Sequence, residues 1–279
     1  MTASTIRVDP RWLALRGPAD ARARTAHGAT VVADLTRHLL ARSAGGARRA
    51  VRLVDVGAGT GAGAAWLRWR LPVAQSWRLI DRDADLLALA TPVADGWAEP
   101  VVADLAELPS LLAARPADVV TCQALLDLLT ADQIATLLRP AVASDAAVLL
   151  SLSVTGHVTL RPEHPDDDLV NEAFNAHQHR SHLLGPDAGK HAAAALRARG
   201  YTVTAVPTPW RLGSADRDLT AAWLHGRAQA AGEQMPGDSG RIARWLDQRL
   251  AAAARGGLVA TVGHVDVLGI PPGRTGERP

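Results

Sequence analysis

The chain has 279 residues, 48% hydrophobic and 21% charged, with a formal net charge of +2. That is enough apolar chain to bury a large core as one big domain or two small ones, and too even a charge balance to argue for a nucleic-acid partner. The lone cysteine, Cys122, excludes an internal disulfide, the N-terminus lacks an apolar secretion core, and no run approaches the roughly 18 apolar residues that span a bilayer. A cytoplasmic globular protein without a membrane partner is expected. Lys190 is the only lysine, so the arginine excess reads as coding bias.

Residues 1 to about 50 read as an N-terminal helical extension, with DPRW (Asp9 to Trp12) starting one helix and Gly45-Gly46 ending another. From residue 51 to about 270, short apolar runs alternate with segments of helical period. The predicted strands are Val51–Val56, Trp77–Ile80, Pro100–Ala103, Asp118–Cys122, Ala146–Ser153, Thr202–Val206 and Leu258–Val265. The predicted helices are Gly61–Arg70, Ala84–Leu89, Ala131–Leu138 and Asp187–Arg199, the last closed by Gly200. This order predicts an α/β fold: a doubly wound, mostly parallel, seven-stranded Rossmann-like sheet. Two insertions interrupt it. Residues 154–186 exceed the roughly 2 to 6 residues of an ordinary connection, and residues 213–256 carry two helical segments. Such insertions at one end of a sheet build a lid or substrate cap. Residues 271–279 read as a disordered tail.

The apolar run LVDVGAGTGAGAAWL, Leu53 to Leu67, breaks into glycines where a ligand would approach. A triphosphate loop needs Lys and then Ser or Thr after its last glycine, and Gly61 is followed by Ala-Gly-Ala. The dinucleotide pattern fits on spacing, since Gly57, Gly59 and Ala62 satisfy it and Asp81 follows as the acid. Asp55 separates the readings. A carboxylate ahead of the first glycine repels a pyrophosphate and favours a cationic ligand. S-adenosylmethionine (SAM) has a sulfonium, an ammonium and no phosphate, and glycines let the backbone approach it closely.

DVGAGTG (Asp55 to Gly61) resembles the first motif, D/E-x-G-x-G-x-G, of the class I SAM-dependent methyltransferases. LIDRDADLLALA (Leu79 to Ala90), VVADLAELP (Val101 to Pro109) and ADVVTCQALLDLL (Ala117 to Leu129) are similar to the next three segments of that family, in register. The resemblance implies SAM as cofactor and S-adenosylhomocysteine as product. It implies that Asp55, Gly57, Ala58, Gly59 and Gly61 form the loop beside the methionine portion. Asp81, with Arg82 beside it, maps to the acid that binds both ribose hydroxyls. Asp104 maps to the acid that accepts from the adenine amino group, with the Leu105 backbone near the ring. Cys122, Gln123 and Ala124 map to the strand end facing the transferring methyl, with Gln123 counted among the cofactor residues.

Acceptor residues are expected in the insertions. Residues 156–186 hold five of the ten histidines: His157, His164, His177, His179 and His182. On a helix from about Asp168, Asn175 and Gln178, or Asn175 and His179, share a side. The expectation is that Asn175, Gln178, Arg180 and Trp210 bind substrate and that His177 or His179 serves as general base. A solvated helix explains each residue equally well. No metal is assigned, because H-x-H-x-x-H on one helix does not converge on one face. The strand-four end, CQAL, lacks the D/N-P-P-Y/F run of many nucleic-acid and protein methyltransferases, and no RNA-binding module is appended. The expected activity is methyl transfer to an O, N or C nucleophile of a small metabolite. The alternatives are an RNA or protein methyltransferase, a non-catalytic SAM-binding protein and, more distantly, a dinucleotide oxidoreductase.

Overall fold

The computed structural model describes residues 8–44 and 49–272. Two helices open the described chain, α1 (Pro10–His27) and α2 (Ala29–Ala44). Asp9 caps the first, its side chain accepting from the Arg11 N–H at 2.8 Å, and Pro10 occupies the first turn, where no amide is needed. The chain continues through β1 (Val51–Val56), α3 (Ala62–Arg68), β2 (Gln75–Asp81), α4 (Ala84–Ala88), α5 (Thr91–Ala94) and β3 (Ala98–Val102). Next come α6 (Leu108–Ala114), β4 (Val119–Gln123), α7 (Ala131–Ala143), β5 (Ala147–Arg161), α8 (Asp167–Gln178) and α9 (Ala188–Arg197). It ends with β6 (Thr202–Pro207), β7 (Trp210–Leu212), α10 (Arg217–Gln234), α11 (Ser239–Ala254) and β8 (Val259–Ile270). The expected Gly45-Gly46 helix end and the tail beyond residue 272 lie outside the described residues.

The strands form one sheet in the order β3-β2-β1-β4-β5-β8-β6, with β7 also pairing β8. The pairs from β3 to β5 are parallel, and every pair made by β8 is antiparallel. The central strands read as unbroken apolar runs because both their faces are covered. Val54, Val56, Val120, Cys122, Val148 and Leu150 point to one face, against Leu108, Ile134, Leu137 and Leu196 of α6, α7 and α9. Their neighbours Leu53, Val119, Ala147 and Leu149 point to the other, against Val31, Leu35 and Leu39 of α2 and Leu67 of α3. This is the two-residue period of a strand turned into two cores. Among the described residues no helix is long and apolar enough to cross a membrane.

Two differences from the expected elements matter for the site. Strand β5 runs eight residues past Ser153, to Arg161, paired with β8 through register shifts between Leu150 and Ser153 and between Val154 and Val158. The bulge leaves the Leu152 N–H without a ladder partner, and Asp266 Oδ1 accepts it at 2.8 Å. The second addition is the three-residue β7. The outer halves of β5 and β8, with β7, carry α8, α10 and α11 and a third core of Leu160, Val170, Leu212, Leu224, Ile242 and Trp245. Inside this cap, Asp167 accepts from the Trp245 indole at 2.8 Å and from both Nε and Nη2 of buried Arg249. Arg241 holds Asp166.

Candidate functional site

The strand order reverses between β1 and β4, so a crevice opens at their carboxyl ends, where open α/β sheets bind ligands. The chain leaves β1 through Gly57, Gly59 and Gly61, at φ +67°, +53° and +74°. An L side chain is strained there, and a Cβ on Gly57 would lie 2.5 Å from Leu125 Cδ2. Asp81, ending β2, accepts the Gly59 N–H at 2.8 Å and the Asp83 N–H at 2.9 Å. Asp104, after β3, is exposed and joined to Glu107 in a reciprocal cap of the following turn.

Asp55 has a different role from the one its motif position suggests. It is 2% exposed, accepts the Thr121 hydroxyl at 2.6 Å and the Ala64 N–H, and does not line the crevice. Burial pushes its carboxyl up to about 6, countered by Thr121 and by buried Arg24. The acid braces the glycine loop against α3 instead of facing a ligand. Ala58 and Gly61 do not line the cavity either.

The crevice continues into the cap as one cavity of about 1090 Å³. Gly57, Gly59, Asp81, Arg82, Asp104 and Leu105 line its sheet end. Helix α1 covers it with Trp12, Leu13 and Arg16, and the far end is walled by Phe174, Trp210, Trp223, Arg227, His264 and the outer part of β5. Helix α1 is fixed there by buried polar contacts. Asp20, 4% exposed, accepts from the Trp210 indole at 2.8 Å, from Arg16 Nε at 2.9 Å and from Gln123 Nε2 at 3.3 Å. Arg24 donates to Gln123 Oε1 at 2.6 Å. Gln123, expected at the cofactor, therefore clamps α1 and does not line the cavity.

Asp127, His264 and Arg227 line the cap end, beside His157 and Arg16. Asp127, in the short turn Leu126–Leu128 after β4, is pushed up to about 6, chiefly by burial, with Arg16 opposing. Gln178 Nε2 donates to it at 3.4 Å. His264 is held down to about 3 by burial and then by Arg16. It is neutral at pH 7, its Nδ1 donates to the Val262 carbonyl at 3.0 Å, and its ring lies 4.8 Å from that of Trp210. Burial brings Arg227 down to about 9, which leaves it cationic at pH 7. Asn175 and Gln178 reach the cavity, and their Oδ1 and Oε1 atoms have no partner.

The histidines expected to act as base do not reach the cavity. His177 Nε2 lies 2.9 Å from Glu233, and His179 Nε2 lies 3.7 Å from Asp187. Helix α8 advances about 100° per residue, so Phe174, Asn175 and Gln178 share the inner face and His177 falls outside it. Arg180 is likewise a surface residue, bonded to Gln234 Oε1 and the Glu233 carbonyl. Asp166 and Asp167 at the start of α8 are taken by Arg241, Trp245 and Arg249. Asp127 and Arg227 were missed by sequence reasoning. The signal for Asp127 was a lone acid inside the apolar run QALLDLL that ends the fourth segment.

No protein-family model and no curated protein matches the sequence. Among solved structures, the chain is similar to a cyclopropane-fatty-acyl-phospholipid synthase-like protein from Lactobacillus casei. The identity is 15% over 86% of this chain and 92% of that one, with a TM-score of 0.51. It is also similar to a cyclopropane synthase from Mycobacterium tuberculosis, at 15% identity over 80% and 79% of the two chains and a TM-score of 0.44. An O-methyltransferase family protein from Burkholderia thailandensis matches at 19% identity over 56% and 47%, with a TM-score of 0.43. The first likeness shows the shared fold, a Rossmann-like sheet flanked by helices.

Proposed function

We propose that the protein is a SAM-dependent methyltransferase acting on an O, N or C nucleophile of a small metabolite. The observation that carries this reading is the continuity of one cavity from the glycine loop and Asp81 to an aromatic chamber holding Asp127. The residues present fit the cofactor. The bare backbone at Gly57 and Gly59 suits the methionine portion, Asp81 has carboxylate oxygens for the ribose hydroxyls, and exposed Asp104 has one for the adenine amino group. When bound, SAM supplies a methyl group on a sulfonium, open to in-line displacement.

The chain's own residues supply the rest. Asp127 follows β4 directly, so it lies between the sheet end and the cap; with its carboxyl near 6 it is mainly ionised at pH 7 and takes a proton from an acceptor hydroxyl or amine. Trp12, Trp210, Phe174 and Trp223 exclude water, which strengthens each polar contact. Asn175 and Gln178 bring amide groups to the cavity wall for orienting the substrate. The walled chamber favours a small acceptor over RNA or protein, and its volume favours turnover over cofactor binding alone.

Calorimetry tests the cofactor assignment. SAM and S-adenosylhomocysteine are expected to bind and NAD not to, and Asp81→Ala and Asp104→Ala should each weaken SAM by about tenfold or more, the worth of a hydrogen bond to a charged group. Unchanged SAM affinity in both variants, or NAD binding in its place, would sink the assignment.

A further inference from the structure

Four arginines are buried among the described residues: Arg24, Arg78, Arg227 and Arg249. Arg249 grips the Asp167 carboxylate, Arg24 lies 3.8 Å from Asp266, and Arg78 donates to the Arg115 carbonyl. Arg227 differs from all three. It is 4% exposed and makes one side-chain hydrogen bond, from Nη2 to the neutral Asn171 Oδ1 at 3.0 Å, while its Nε has no partner. No carboxylate acts on it, and burial alone accounts for its weakened hold on its proton. The guanidinium lies over the rings of Phe174, at 4.1 Å, and Trp223, at 4.7 Å, and lines the cap end of the cavity.

A buried cation is ordinarily paired, because its lost hydration must be replaced. The rings return part of that through cation–π attraction, but they supply no acceptor for the remaining N–H groups. An anion entering the chamber would supply both charge and acceptors, in the forked geometry that guanidinium matches best. The charge to be balanced is one unit. A phosphate dianion would leave a negative charge buried among aromatic rings, with Asp127 lining the same cavity. A carboxylate balances it.

We infer that Arg227 is the recognition site for a carboxylate on the methyl acceptor, which is thus an apolar carboxylic acid held with its acid group in the cap and its nucleophile at the Asp127 end. The part concerning the acceptor rests on the methyltransferase reading; the carboxylate site does not.

The test uses the full chain and a panel of aryl- and alkyl-carboxylates of three to ten carbons, each beside its neutral carboxamide. Binding is followed by calorimetry and thermal shift, with and without S-adenosylhomocysteine. At least one carboxylate should bind the wild type about tenfold or more tightly than its amide and raise its melting temperature. Arg227→Met should lose that preference while keeping its affinity for S-adenosylhomocysteine, and the equally uncharged Arg227→Gln takes its place if the Met variant does not fold. Absence of any preference in the wild type overturns the inference, and so does the same preference in the variant. Preference for carboxylates without S-adenosylhomocysteine binding upholds the site and refutes the methyltransferase reading.

Discussion

Replacing Asp127 by Asn should stabilise the protein by an amount that grows with pH. The folded carboxyl sits at about 6 against a reference of 3.8, so the fold holds the protonated form better than the unfolded chain does. This contribution is fully present below pH 3.8 and is lost as pH rises through 6. With about 1.36 kcal/mol per pKa unit, ionising the buried group costs about 0.6 kcal/mol at pH 4 and about 3 kcal/mol at pH 8. Asn keeps the shape and the contact with Gln178 but never ionises. Water in the cavity screens the charge, so the extra gain at pH 8 over pH 4 should fall at about 1 to 2.5 kcal/mol. Urea unfolding of both proteins at pH 4, 6 and 8 measures it. An equal gain at pH 4 and pH 8 would refute a raised Asp127 carboxyl. If Asp127 also takes the substrate proton, the variant loses about a hundredfold or more in kcat/KM, together with the rise in rate that the wild type shows through pH 6.

Two further outcomes follow from the geometry. Replacing His177 and His179 together by Ala should leave methyl transfer within about twofold, since both face surface carboxylates whose pairing is worth little; a loss beyond tenfold with intact SAM affinity would return them to the site. Asp20→Ala strips the Trp210 indole, Arg16 and Gln123 of a shared acceptor. It should cost about 2 to 4 kcal/mol and accelerate amide hydrogen exchange throughout α1, and unchanged exchange there would mean that α1 is held otherwise.

The sheet end of the site was legible because its parts are local. Each is a short signal at a strand exit, the glycines after β1, Asp81 closing β2 and Asp104 two residues past β3, and Val51–Val56 emerges at the bounds predicted for it. The cap end is assembled from Asp127, Phe174, Arg227 and His264, on four elements far apart in sequence, so no window contains it. Histidine abundance misled there, because a helix sorts residues by face. The extension of β5 was hidden by Thr155, Gly156 and His157, which interrupt its apolar run; its pairing comes from β8, about a hundred residues later. Asp55 was expected to face the ligand from its motif position, and only packing shows it sealed beneath the loop.

The shared ladder of β5 and β8 has a mechanical consequence. Both strands begin or end in the central sheet and continue into the cap as hydrogen-bonded ribbon, so no flexible linker lies between the two halves of the cavity on which they could swing apart. Helix α1, by contrast, is attached over the mouth through side chains, to Trp210 in the cap and Gln123 in the sheet. The backbone ladder thus holds sheet and cap in fixed register, and α1 ties the two together by side-chain contacts.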